Sequence, residues 1–222
     1  MGKITSKHYF FIAILLVLAY QYLSGLVLRS GLVTGLSDFA YYLSDMTLHF
    51  LVVLLAFFTM VKSGKWQKIN SKKFRWSYLF YCALAFLLLF LWNRVTFSLF
   101  PPTRNAVSYQ RYAPTFTGAT AFLMYFFYPV IAGPIFEEII YRGLVMTALE
   151  KGKKWGLDVL GSAALFGVLH VSNHGWVLTD FFVYMGGGLI FVVLFRATKS
   201  IYWVIGLHIA YNSIGQILML LR

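Results

Sequence analysis

The chain has 222 residues, of which 60% are hydrophobic and only 12% charged, against roughly 45–50% and about 25% in soluble domains. So few charges cannot cover a soluble surface, and an aromatic share of 19% excludes disorder. The net charge of +12 would suit a nucleic-acid partner, but the cations lie in short runs between apolar segments, as loop charges of a membrane protein do.

Apolar stretches of spanning length fall at 8–28, 39–61, 76–100, 116–149, 156–172, 176–195 and 200–221. The expectation is an all-α, polytopic transmembrane helical bundle of about seven spans, N-terminus cytoplasmic, in a bacterial plasma membrane. With that orientation, thirteen of the 19 Lys and Arg residues fall inside and four outside, while Arg94 and Arg142 lie within spans. The bias follows the positive-inside rule. The fourth stretch is too long for one straight helix and contains Pro129 and Pro134, so a break is expected there. The fifth is short and contains glycine, which predicts a tilted or enclosed helix. Met1–Ser6 matches a myristoylation pattern, and the apolar run after Tyr9 resembles a signal peptide. An uncleaved first span accounts better for both.

The first three spans hold few polar residues. Asp45 and His49 stand four apart in the second and read as a structural pair. Arg94, near the outer end of the third, is expected to snorkel. Cys82 is the sole cysteine, which excludes an intrachain disulfide and a CxxC metal site. The cationic loop from Lys62 to Arg75 reads as a topology signal, with contact to anionic lipid as the second reading.

The fourth span carries Glu137, Glu138 and Arg142. Each ionisable group at membrane depth costs roughly 2.5–3.5 kcal/mol on insertion scales and needs an explanation. Glu138 and Arg142 can pair at i, i+4, whereas Glu137 points elsewhere, without a partner in its own helix. His170 follows in the fifth span, with His208 and Asn212 in the seventh. At 1.5 Å rise per residue, Glu137, His170 and Asn212 lie roughly 20 Å deep and His208 about 13 Å. A carboxylate and a histidine can hold and deprotonate a water, while a second histidine and an amide can hydrogen-bond an oxyanion. Neither G-x-S-x-G nor S-x-x-K occurs. Asp180, near the outer face, is placed to pair with Arg94. Gly186-Gly187-Gly188 is expected to let helices approach closely.

In order along the chain, E-E-x-x-x-R (Glu137, Glu138, Arg142), F-x-x-x-H (Phe166, His170) and H-x-x-x-N (His208, Asn212) resemble the CPBP/Abi family. This is the group of CAAX proteases and bacteriocin-processing intramembrane proteases that includes the Rce1-like endopeptidases. The resemblance covers residues 116–222 as a protease core and leaves 1–115, with three spans, outside it. It implies that Glu137 activates the attacking water with His170, that His208 and Asn212 form the oxyanion hole, and that Glu138 and Arg142 orient the site. The implied enzyme is an intramembrane endopeptidase acting on a peptide or membrane-protein substrate in the lipid bilayer, in bacteriocin self-immunity or peptide processing. The rival expectation is a non-catalytic immunity protein that binds a bacteriocin or its receptor. No nucleic acid and no cofactor is expected. A zinc ion, which a metallopeptidase reading would require, would fall to Glu137, His170 and His208. His170 and His174 also mimic a metal pair by spacing, but His174 reads as solvated decoration.

Overall fold

Inside a bilayer no water is present to satisfy backbone amides, so apolar stretches of this length must bond internally as helices. The computed structural model describes residues 4–31, 34–71, 73–112, 115–172 and 175–220. The main helices are α1 (Ser6–Arg29), α2 (Asp38–Lys62) and α3 (Trp76–Leu99), then a short α4 (Arg104–Tyr112) and a long α5 (Gly118–Ala148). They continue with α6 (Leu157–Ser172), α7 (Leu178–Thr198) and α8 (Ile201–Leu220). Among the described residues no strand forms, so the all-α architecture stands as expected. Helices α1, α2, α3, α5 and α7 are long and apolar enough to cross a membrane. The chain is a multi-pass membrane protein. Parts of three expectations lie outside the described residues: Met1–Lys3 of the myristoylation pattern, Lys72 and Arg222 of the charge count, and His174.

Apolar side chains cover the outside as well as the core, and several charged groups lie within. Leu15, Leu26, Leu87, Phe97 and Val193 face outward, while Glu138, Arg142, Asp158, Asp180 and His208 are buried. At 16 residues α6 spans about 24 Å, less than the roughly 30 Å hydrocarbon core. It lies closely against α7, where a side chain at Gly167 would come within 2.9 Å of the Phe181 carbonyl.

Polar ties gather the loops at two opposite ends. At one end Lys65 and Lys68 both bond Glu150, Arg196 bonds Asp158, and the Ile201 amide donates to the Ile69 carbonyl at 2.8 Å. The start of α1 joins them, with Tyr9 Oη and Thr147 Oγ1 2.7 Å apart. At the other end Asp180 Oδ2 accepts from the Arg104 amide at 2.8 Å, and Gln216 Nε2 donates to Tyr109 Oη at 2.9 Å. The segments expected to carry inside cations thus share one end, and α5 crosses only once.

The expected break in α5 does not occur. The helix runs on, widened to π-helical turns over Leu123–Ala132 and again over Glu138–Val145. Widening absorbs Pro129: the Gly133 amide reaches back five residues to the Tyr128 carbonyl. Pro134 then stands at the start of a new α-helical turn, where a missing N–H is tolerated. Gly133 is required here, because a Cβ would sit 2.9 Å from the Tyr128 carbonyl oxygen.

Burial by itself would raise the Glu150 carboxyl, but hydrogen bonds from Lys65 and Lys68 outweigh it and hold the group below its ordinary value. A depressed folded value stabilises the protein above the ordinary carboxylate range, and that stability is lost as pH falls through the folded value. Glu150 is partly exposed, so screening limits the effect. Glu150→Gln should therefore lower stability by about 1 kcal/mol near neutrality. The deficit should vanish on acidification, which thermal unfolding of wild type and variant across pH will check; a deficit independent of pH would contradict an ionic tie.

Candidate active site

The second widened turn of α5 still lets Glu138 reach Arg142, with Oε1 and Nη1 3.1 Å apart and both side chains fully buried. Arg142 Nη2 donates to the Gly188 carbonyl at 3.1 Å. Its guanidinium faces the rings of Phe166 at 4.7 Å and Phe191 at 5.3 Å, which adds cation–π attraction in a dry site. Close approach of α6 and α7 permits this: a Cβ on Gly188 would lie 3.1 Å from Phe166, and one on Gly186 would collide with Trp92. The glycine run serves helix packing at these two positions.

Glu138 has a second partner. His208 Nδ1 lies 2.8 Å from Glu138 Oε1, and its ring stacks on Phe191 with centroids 4.4 Å apart. With Arg142 paired to the same carboxylate, Nδ1 is assigned as the donor to Oε1. His208 Nε2 then faces Glu137 Oε2 at 3.9 Å, within range of charge attraction but beyond a hydrogen bond. The neighbouring glutamates thus differ: Glu138 is 0% exposed, whereas the Glu137 side chain keeps 16% of its surface open.

His170 is fixed by its own helix and by α7. Its Nδ1 donates to the Phe166 carbonyl at 2.9 Å, which leaves Nε2 with a lone pair. The ring lies between Phe166, at 4.5 Å, and Tyr184, which stacks on it at 4.2 Å. Tyr184 Oη is 3.0 Å from Thr103 Oγ1, tying His170 to the chain just before α4. Glu137 and His170 form no direct ion pair, unlike Glu137 and His208. Asn212 has a backbone partner on α5. Its Nδ2 donates to the Pro129 carbonyl at 2.8 Å. The widened turn explains why: Gly133 bonds Tyr128 instead, and Pro134 has no N–H to offer. An orphaned carbonyl at membrane depth needs a donor from elsewhere.

Outside this group the secondary expectations divide. Asp45 and His49 do pair, with Nδ1 3.5 Å from Oδ2 and 2.9 Å from the Asp45 carbonyl. Arg94 is exposed. Asp180 does not pair with it, because the Asp180 carboxylate is occupied by the Arg104 amide at the start of α4. Sequence reasoning missed Tyr184 and Phe191, the two α7 aromatics that hold the imidazoles. Their i, i+7 spacing on one helix was the available signal.

Among the described residues, no group of three or more His, Cys, Asp or Glu side chains is arranged to hold a metal ion. His170 Nε2 carries a lone pair and His208 Nε2 faces Glu137, yet Glu137, His170 and His208 do not converge as a ligand set. The residues as placed therefore do not fit a zinc ion.

Residues 119–214 match the family model described as type II CAAX prenyl endopeptidase Rce1-like. That segment contains Glu137, Glu138, Arg142, Phe166, His170, His208 and Asn212. Over that segment, somewhat less than half of the chain, the protein is similar to that family. A relative from Bacillus subtilis (strain 168), named "Putative membrane peptidase YdiL", is 32% identical over 90 residues, which is 40% of this chain and 35% of that protein. The chain thus covers about a third of that relative's length. No solved structure matches. The family match starts in α5 and ends in α8, so α1, α2 and α3 lie outside it. Helices α1 and α2 nevertheless share one core with the matched segment, in which Tyr9, Tyr20 and Val53 pack with Tyr141 and Phe166.

If Asn212 satisfies Pro129, Asn212→Ala should cost about 1–3 kcal/mol, the penalty for an unpaired buried acceptor. Thermal unfolding in detergent without any substrate checks this. A variant as stable as wild type would show that the amide is not needed there.

Proposed function

We propose that the chain is an intramembrane endopeptidase that hydrolyses a peptide bond with a water activated by Glu137. The reading is carried by the difference between two adjacent carboxylates, Glu138 closed off by Arg142 and His208 and Glu137 left open. A water between Glu137 and His170 would donate one proton to each, the carboxylate acting as base and His170 Nε2 orienting the oxygen. The water oxygen adds to the substrate carbonyl carbon while its proton passes to Glu137. Glu137 then protonates the amide nitrogen as the C–N bond breaks, releasing an acid and an amine.

The negative oxygen formed between these steps is assigned to His208 and Asn212. Asn212 carries two N–H donors, so it can hold Pro129 with one and offer the other. His208 already donates from Nδ1, so it donates from Nε2 only as the imidazolium. Arg142 and Glu138 are positioning residues. They fix the orientation of the His208 ring without touching the reacting atoms. No cofactor takes part in this scheme.

The charge asymmetry of the loops supports an orientation with the Lys65 end in the cytoplasm, and the proposed cell is bacterial. The substrate class is a peptide or membrane-protein segment reaching the site from the bilayer. Bacteriocin self-immunity or peptide maturation is the proposed setting. A second reading has one observation in its favour: the side chains of Glu138, Arg142, His208 and Asn212 all bond within the protein, as in a helix clamp. In that reading the protein protects by binding a bacteriocin or its receptor.

Glu137→Gln separates the two. Glu137 makes no hydrogen bond shorter than its 3.9 Å approach to His208, so the variant should unfold at the wild-type temperature. Hydrolysis should nevertheless fall by about 10²–10⁴-fold, the usual contribution of a general base. Termini of membrane and secreted peptides from cells matched for expression provide the readout. Termini unique to wild type establish cleavage. Identical peptide sets with a functional variant would replace cutting by binding.

A further inference from the structure

Helices α3 and α8 do not close on each other over their first halves. A groove of about 600 Å³ remains, floored by small residues (Ala83, Gly206, Ala210) and walled by Cys82 and Phe86. A side chain at Gly206 would meet nothing within 4 Å. Towards the Lys65 end this groove adjoins a second cavity of about 380 Å³, and the two share Tyr202 and Trp203 as lining residues. The second cavity is of different chemistry, with Ser71, Lys73 and Ser200 around it. Lys73 is exposed. Ser200 is fully buried and its hydroxyl has no hydrogen-bond partner, which is unusual for a buried polar group.

Dimensions identify the occupant. Measured from the start of α3 at Trp76 and of α8 at Ile201, the far end of the apolar groove, at Phe86 and Ala210, lies about 15 Å along the helices. That is half of a roughly 30 Å hydrocarbon core, the depth of one leaflet. The polar cavity lies where the headgroups of that leaflet lie. Tyr202 and Trp203 mark the boundary, as amphipathic aromatics do at membrane interfaces. A cation and two hydroxyls at the rim complement a phosphate, and an apolar channel one leaflet deep complements an acyl chain.

We infer that the α3–α8 groove is a binding site for one anionic glycerophospholipid. Its phosphate sits against Lys73, Ser71 and Ser200, and one acyl chain runs past Trp203 along Cys82, Phe86, Gly206 and Ala210. The site is independent of the proposed hydrolysis. Leu207, which lines it, immediately precedes His208, so an occupied groove backs the helix that carries the imidazole.

The test uses the full chain in phosphatidylcholine vesicles containing a minority of phosphatidylglycerol. Each lipid in turn carries a photoactivatable diazirine midway along an acyl chain, and labelled peptides are mapped. The phosphatidylglycerol probe should label Cys82–Phe86 and Gly206–Ala210 several-fold more than Leu15 and Leu26, which face outward on α1. Gly206→Trp should remove the groove labels and leave those on α1. Ala210→Phe fills the same space and replaces Gly206→Trp should that variant misfold. Lys73→Glu should reduce the phosphatidylglycerol signal to that of phosphatidylcholine. Equal labelling of the groove by both lipids, or a preference that survives Lys73→Glu, would overturn the proposal.

Discussion

A guanidinium with no exposed surface, in the last two turns of a membrane-crossing helix, is the constraint around which the rest of this structure is arranged. Desolvating a charge of that size costs several kcal/mol even after relaxation, and loss of one partner from such a pair costs about 3–5 kcal/mol. Arg142 meets that cost through contacts from its own helix and two others. Glu138 supplies the opposite charge, the Gly188 carbonyl accepts a hydrogen bond, and the faces of Phe166 and Phe191 cover the cation. Each contact also fixes a helix. Phe166 belongs to α6, Gly188 and Phe191 to α7, and Glu138 in turn anchors His208 of α8. The ring that stacks on Phe191 and the ring that stacks on Tyr184 are therefore positioned by the same packing that neutralises Arg142.

The backbone of α5 makes the second requirement. Two prolines five residues apart would break an ordinary helix, but a widened turn lets the chain continue at the expense of one unsatisfied carbonyl. Asn212 answers that carbonyl from α8. Two bonds between α5 and α8, one from His208 to Glu138 and one from Asn212 to Pro129, thus arise from unlike causes, a buried charge and a missing amide. They leave α8 with one register against α5, because both bonds hold only if His208 and Asn212 present the same face.

What the sequence made legible follows from how locally each feature is determined. The helices were visible because hydropathy over about 20 residues decides them, and the Glu138–Arg142 pair was visible because i, i+4 contacts lie within one helix. Asp45 and His49 were readable for the same reason. The partners of His208 and Asn212 were not, since one lies 70 residues away and the other is a backbone oxygen orphaned by a turn type. Pro129 was read as a break because loss of an amide usually ends a helix, and the option of π-helical turns depends on a donor supplied by α8. Asp180 was misassigned for a related reason. Its target is the first amide of α4, and α4 has too polar a composition to register among membrane spans.

The charge arrangement also bears on how an oxyanion could be held in the proposed hydrolysis. In that proposal the negative charge passes from Glu137 to the oxygen as Glu137 takes the proton, so the donors must face the oxygen rather than the carboxylate. With Nδ1 committed to Glu138, a neutral ring has no proton on Nε2 to donate. A doubly protonated ring has that donor, and it would lie between the oxygen and Glu138, which is itself tied to Arg142. In the proposed reaction the general base thus works beside a carboxylate that never contacts the substrate, and the two adjacent glutamates, unequal in exposure, take separate tasks.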